Sequence, residues 1–181
     1  AFKYTTLDYT RTYAEFREDV DNFARALVSM GVRPGMKVAI WATNVPEWML
    51  TFYACTKIGA VLVTVNTAYK VFELEYLLRQ SDSKMLVLID KFKKNDYIQI
   101  VNELCPTLKN CKPGEYENPM LPFLKTIVYA GDNSEAPAGM LHWKDLYKKA
   151  ENIPDEQFRA LYNSIDPQDI CNMQYTSGTT G

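Results

Sequence analysis

A single histidine, His142, is all the imidazole that the 181 residues contain, and this scarcity closes several routes at once. Ser-His-Asp and Cys-His chemistry needs a base within hydrogen-bond reach of the nucleophile. The only base available sits among Met140, Leu141 and Trp143, a segment that reads as packed, so hydrolases of those types are effectively excluded. The four cysteines, Cys55, Cys105, Cys111 and Cys171, form no Cys-x-x-Cys pair, and one histidine leaves no zinc-ligand spacing. Reduced, intracellular thiols are the expectation. Charge of one sign is lacking too: 20 Lys plus Arg against 22 Asp plus Glu give a net charge of −2, so no basic footprint for nucleic acid or acidic lipid is present. The greasiest stretch, residues 49–65, carries Thr51, Lys57 and Gly59 and falls short of the ~20 apolar residues of a spanning helix, so no transmembrane segment is expected. Residues 1–6 show no basic region followed by an apolar run, hence no visible secretory signal. Neither Gly-x-x-x-x-Gly-Lys nor Gly-x-Gly-x-x-Gly occurs anywhere, which removes the two common nucleotide fingerprints.

What is present is enough apolar material, 47% of residues, for one domain-sized core. Thr12-Tyr13-Ala14-Glu15 has the form of a capping box, and Phe16, Val20, Phe23, Leu27 and Met30 then recur at helical spacing up to Gly31. Residues 38–42 make a continuous apolar run, the mark of a strand buried on both faces. Asn44 and Pro46 signal a second helix, over 46–58, in which an asparagine oxygen caps the free amides. Further strands are expected at 60–65, 85–89, 126–129 and 169–175, and further helices at 72–81, 96–104 and 143–150. Residues 111–122, with three prolines and a glycine, read as a surface connection, and 131–139 as an exposed loop. Helices alternating with short buried strands predict an α/β fold with a mainly parallel sheet and flanking helices.

In such a sheet, ligands bind beyond the carboxyl ends of the strands. The segment Thr176-Ser177-Gly178-Thr179-Thr180-Gly181 follows directly on an expected strand. Its two glycines free the backbone for close approach to an anion, and its hydroxyls suit phosphate oxygens or Mg2+. Other conspicuous residues have plain readings. Trp41 and Trp48 lie in apolar periodic segments and read as core rather than as a base-stacking platform. Cys171 has no base beside it and reads as a small buried filler. Lys91, Lys93 and Lys94 read as a solvated loop, and Glu73 and Glu75, two apart on a helix, as surface charges.

The order Tyr175-Thr176-Ser177-Gly178-Thr179-Thr180-Gly181 resembles the start of the phosphate-binding signature of the AMP-forming adenylate-forming enzymes, the superfamily of acyl-CoA synthetases, luciferases and peptide-synthetase adenylation domains. Four further segments, residues 12–15, 31–40, 44–48 and 57–66, resemble consecutive landmarks of that family's N-terminal region, in order and with compatible spacing. The wording is most similar to medium- or long-chain fatty-acyl-CoA synthetases. One departure is Thr67 after Asn66, where the family usually carries proline. The resemblance implies that residues 1–181 are the first part of the large AMP-binding domain, reaching into the phosphate loop, with the C-terminal domain and its catalytic lysine outside the chain. It implies ATP, Mg2+ and coenzyme A as cosubstrates and a fatty acid as substrate, no nucleic-acid partner, and a cytoplasmic setting with peripheral membrane contact left open. Thr176, Ser177, Gly178, Thr179, Thr180 and Gly181 are the implied contacts to the ATP phosphates, with the Thr176 hydroxyl on Mg2+; no catalytic residue falls within the chain, which alone is expected to be inactive. Adenylation of an aryl or amino acid and a non-catalytic α/β binding module are the alternatives. Oligomeric state is open.

Overall fold

Thr12 starts a helix as its spacing to Glu15 requires: its hydroxyl accepts from the Glu15 N–H at 3.3 Å, and the Glu15 carboxylate accepts from the Thr12 N–H at 2.8 Å. The computed structural model describes residues 2–176. In chain order the elements are β1 (Phe2–Tyr4), β2 (Tyr9–Arg11), α1 (Tyr13–Ser29), β3 (Lys37–Trp41), α2 (Pro46–Lys57), β4 (Val61–Thr64), α3 (Val71–Gln80) and β5 (Ser83–Leu88). They continue with β6 (Lys91–Phe92), β7 (Asn95–Asp96), α4 (Tyr97–Leu104), β8 (Thr126–Tyr129), β9 (Leu141–His142), α5 (Trp143–Ala150), α6 (Asp155–Asn163) and β10 (Asn172–Met173), with a 3-10 turn at Leu108–Asn110.

Six strands form one sheet in the order β10-β4-β3-β5-β8-β9, and every neighbouring pair is parallel. Alternation along each strand feeds two separate cores. Val38 and Ile40 of β3, Met85 and Val87 of β5 and Val128 of β8 join α1, α2, α5 and α6 on one face. Ala39, Trp41, Leu86, Leu88, Ile127 and Tyr129 join α3 and α4 on the other. That is why these strands read as unbroken apolar runs: neither face meets water. Phe23 of α1 stacks on Trp143 of α5 at 4.0 Å between ring centroids, fixing the helices of the first face. β3 leads to β4 on one side and β5 lies on its other side, so the sheet is doubly wound with its switch point at β3. No helix among the described residues is long and apolar enough to cross a membrane.

Several expectations need correction. Asn44 does not cap α2. Val45 occupies the cap without a side-chain bond, while Pro46 at the first turn removes a donor, and Asn44 Oδ1 lies 3.5 Å from the Tyr4 hydroxyl instead. Glu73 is exposed as expected, and its carboxylate in addition accepts the Lys70 N–H at 3.1 Å and closes the start of α3. The connection over 111–122 runs on the surface but drives Tyr116 and Leu121 into the second core. The strand expected over 169–175 pairs only at Asn172 and Met173. Four features were not among the expectations: the hairpins β1–β2 and β6–β7, the two-residue β9, and α6, whose one buried side chain is Phe158.

The departure at Thr67 has a simple local meaning. Residues 66–69 form a turn in which Tyr69 N–H donates to the Asn66 carbonyl at 3.0 Å, and Ala68 N–H donates to Asn66 Oδ1 at 2.9 Å. Thr67 is therefore the second residue of the turn, where proline is favoured. Its carbonyl, which proline would keep, accepts from the Tyr97 hydroxyl at 3.0 Å and from Asn95 Nδ2 at 3.1 Å. Thr67→Pro is expected to raise stability by about 0.5–1 kcal/mol through a stiffer unfolded chain. A urea melt checks it, and a loss of stability would show that the turn does not accept the ring.

Candidate functional site

Two regions lie at the carboxyl ends of the parallel strands. The first is the crevice at the switch point, a cleft of about 910 Å3 over the ends of β3, β5 and β8. Asp90, just beyond β5, organises its wall. Its Oδ1 accepts from the Tyr129 hydroxyl at 2.5 Å and from Asn133 Nδ2 at 3.1 Å, and its Oδ2 accepts from the Asp132 N–H at 3.1 Å. The Tyr129 hydroxyl in turn accepts from the Asn133 N–H at 3.1 Å, and burial followed by the Asp90 bond raises its phenol above the ordinary range. His142 completes the chain of bonds. Its Nδ1 accepts from Lys144 N–H at 3.0 Å, capping α5, which leaves Nε2 to donate to the Asn133 carbonyl at 2.9 Å. The lone histidine is thus a buried structural cap, as its apolar neighbours suggested. Gly131 is required for close approach: a Cβ there would fall on the Asp90 carboxylate and the Tyr129 ring.

The chemistry of this crevice argues against phosphate. Asp8, Glu47, Asp90, Asp96 and Asp132 line it against only Lys91 and Lys144, and burial raises the Glu47 carboxyl above its usual range. An anionic ligand would meet a field of its own sign. Periodicity could not reveal Asp90, Asn133 or Gly131 as partners, because they meet only when β5 and β8 pair.

The second region is the end of β10, beside β4. The Leu62 N–H donates to the Cys171 carbonyl at 3.0 Å, and Asn172 and Met173 then pair with Leu62 and Val63. Tyr175 packs half-buried against the second core near Tyr69, and burial raises its phenol. Thr176 is exposed. Ser177, Gly178, Thr179, Thr180 and Gly181, the other expected phosphate contacts, lie outside the described residues. Among the described residues no three His, Cys, Asp or Glu side chains converge on a metal position. Cys171 corrects an expectation: it is exposed rather than buried, because it precedes a two-residue edge strand and lines an open groove with Tyr53 and Ile170. Trp41 is fully buried and stacks on Tyr97, while Trp48 is half-buried against Phe52, so neither offers a free platform. Lys91, Lys93 and Lys94 sit at the β6–β7 hairpin, where Lys91 also reaches the acidic crevice.

A doubly wound parallel sheet with helices on both faces places this chain among the open α/β proteins. The family model for the AMP-binding enzyme matches residues 1–181, and the chain belongs to that family. It is 45% identical over 170 residues to YngI of Bacillus subtilis, by its name a candidate acyl-CoA synthetase, covering 94% of this chain and 31% of that protein. It is 33% identical over 176 residues to the human mitochondrial medium-chain acyl-CoA ligase ACSF2, covering 96% of this chain and 28% of that one. The chain thus spans under a third of these relatives. Among solved structures it is similar to the anthranilate CoA ligase AuaEII bound to anthranoyl-AMP, with a TM-score of 0.69 at 24% identity over 97% of this chain and 29% of that one, which supports the fold.

Proposed function

We propose that residues 1–181 are the first part of the AMP-binding domain of an ATP-dependent fatty-acid–CoA ligase. The observation that carries this reading is the residue order Tyr175 to Gly181, placed directly after an edge strand at the carboxyl end of a parallel sheet. In the intact protein the carboxylate oxygen attacks the α-phosphate of MgATP, forming an acyl-adenylate and releasing pyrophosphate. The thiol of coenzyme A then attacks the acyl carbon, forming the thioester and releasing AMP. Thr176, Ser177, Gly178, Thr179, Thr180 and Gly181 hold the phosphates that leave and stabilise their growing charge with fixed donors, the Thr176 hydroxyl facing the Mg2+ that arrives with ATP. The acidic switch-point crevice favours the same division of labour, because it repels phosphates and leaves them to the end of β10.

The name of ACSF2, a medium-chain acyl-CoA ligase, supports a medium-chain acid as the substrate, and that of YngI, an acyl-CoA synthetase, supports an acyl-CoA product without fixing chain length. Pyrophosphate exchange by the full-length protein over a panel of fatty, aryl and amino acids tests this. Exchange that is strongest with medium-chain fatty acids is expected, and exchange confined to aryl or amino acids would overturn the substrate class. Residues 1–181 alone are expected to form no acyl-CoA, and robust synthesis by that chain would overturn the domain assignment.

A further inference from the structure

β10 is, with β9, one of the two edge strands held by the shortest ladders of the sheet. Its ladder is two residues long, its one neighbour among the described residues is β4, and it carries the chain straight to Thr176. So short an edge ladder specifies its register weakly. What precedes it is held in an unusual way. Arg25 of α1 donates to the Ile153 carbonyl at 2.8 Å and to Asp155 at 2.6 Å, and its guanidinium lies 4.3 Å from the centroid of Phe158. Lys57, at the end of α2, pairs with Asp21 and stands 5.0 Å from the ring centroid of Tyr162. Phe158 is the one buried side chain of α6, with Leu161 half-buried beside it. Two cations on aromatic faces thus anchor a helix that apolar burial alone holds lightly. Both cations are well covered, with side-chain exposures of 18% and 14%, so their attraction to the rings is poorly screened.

The anchoring is passed on toward β10. Ile165 rests on Gly59, so closely that a Cβ on that glycine would lie 2.7 Å from its Cδ1. Asp166 and Asp169 then lock a turn: the Asp169 carboxylate accepts from the Asp166 N–H at 3.0 Å, and the Asp166 carboxylate accepts from the Gln168 N–H at 2.8 Å. The next anchored atom is the Cys171 carbonyl, which takes the Leu62 N–H and opens the ladder.

We propose that Arg25 and Lys57 are positioning residues that, by clamping Phe158 and Tyr162, set the register of β10 on β4 and so the placement of Thr176, the first of the phosphate-contacting residues proposed above. The functional half of this inference rests on the phosphate-loop reading above; the structural half does not. Amide hydrogen exchange on residues 1–181 tests the structural half. Arg25→Ala combined with Lys57→Ala is expected to speed exchange at Leu62 about tenfold while leaving the β5–β8 ladder unchanged, with Arg25→Lys restoring part of the protection. Phe158→Leu, which keeps apolar volume but removes the ring, serves as the second variant if the double substitution fails to fold, and the same acceleration is expected. Unchanged exchange at Leu62 in a folded variant would overturn the clamp. In the full-length protein the same variants are expected to raise the KM for MgATP about tenfold and to leave the KM for the carboxylic acid unchanged. Faster exchange at Leu62 with an unaltered KM for MgATP would overturn the link to phosphate binding and leave the clamp standing. An equal rise in both KM values would overturn a positioning role specific to the phosphates.

Discussion

Trp41→Ala is expected to cost the folded chain about 4 kcal/mol, the largest loss of any single core truncation here. Three separate interactions end with that side chain. The indole is fully buried in the second core, and its ring stacks on Tyr97 with centroids 3.8 Å apart at 16°. Its Nε1–H donates to the Asn66 carbonyl at 3.0 Å, so the turn that follows β4 hangs on it. Removing the ring leaves a large void between β3 and α4 and strips a partner from a carbonyl, and the two effects add to the lost transfer energy. Trp41→Phe separates them. It keeps most of the stacking and volume but loses the N–H donor, so a cost of about 1–2 kcal/mol is expected. Urea denaturation of both variants reads the difference as a shift in midpoint with little change in slope. A loss below about 1 kcal/mol for the alanine variant would mean that the ring is dispensable to the core, contrary to its burial.

The same residue shows how much of the fold is legible in the sequence. Trp41 lies within an unbroken apolar run, and such a run on a parallel strand has only buried faces to occupy, so a core role follows from pattern alone. α1 was equally legible, because its cap, its stripe and its terminal glycine all agree; Gly31 takes the left-handed conformation expected of it, with φ of 81°. Strand order was not legible, and with it went the crevice at the switch point. Asp90 and Asn133 are 43 residues apart and meet only because β5 pairs with β8. α6 was legible in principle, because Phe158, Leu161, Tyr162 and Ile165 recur at helical spacing; what the stripe does not reveal is that Arg25 and Lys57 meet its aromatic rings. Cys171 was misjudged because a strand expected to run for seven residues pairs at only two, leaving the thiol outside the ladder.

Thr176→Val in the full-length protein is expected to lower kcat/KM for ATP–pyrophosphate exchange about a hundredfold, the size of effect that follows loss of one fixed donor to a charge that grows in the transition state. Valine copies the shape of threonine and removes only the hydroxyl. Because Thr176 is exposed, the substitution should move stability by no more than about 0.5 kcal/mol, so a fall in activity could not be put down to unfolding. The direction of the kinetic change carries further information. If the hydroxyl contacts Mg2+ and phosphate mainly as pyrophosphate departs, kcat and kcat/KM fall together, whereas a contact equal in ground and transition states raises KM for MgATP alone. Exchange within twofold of the unsubstituted protein would remove Thr176 from the phosphate contacts. Gly178→Ala tests the neighbouring backbone by another route, since the added methyl blocks close approach of an anion to the main chain without deleting any donor. A large loss from alanine with none from valine would place the phosphate on the amides rather than on the hydroxyl. Losses from both would mean that amides and hydroxyl act together, and the end of β10 would then be a charge-stabilising cradle set apart, across β4, from the acidic crevice over β3, β5 and β8.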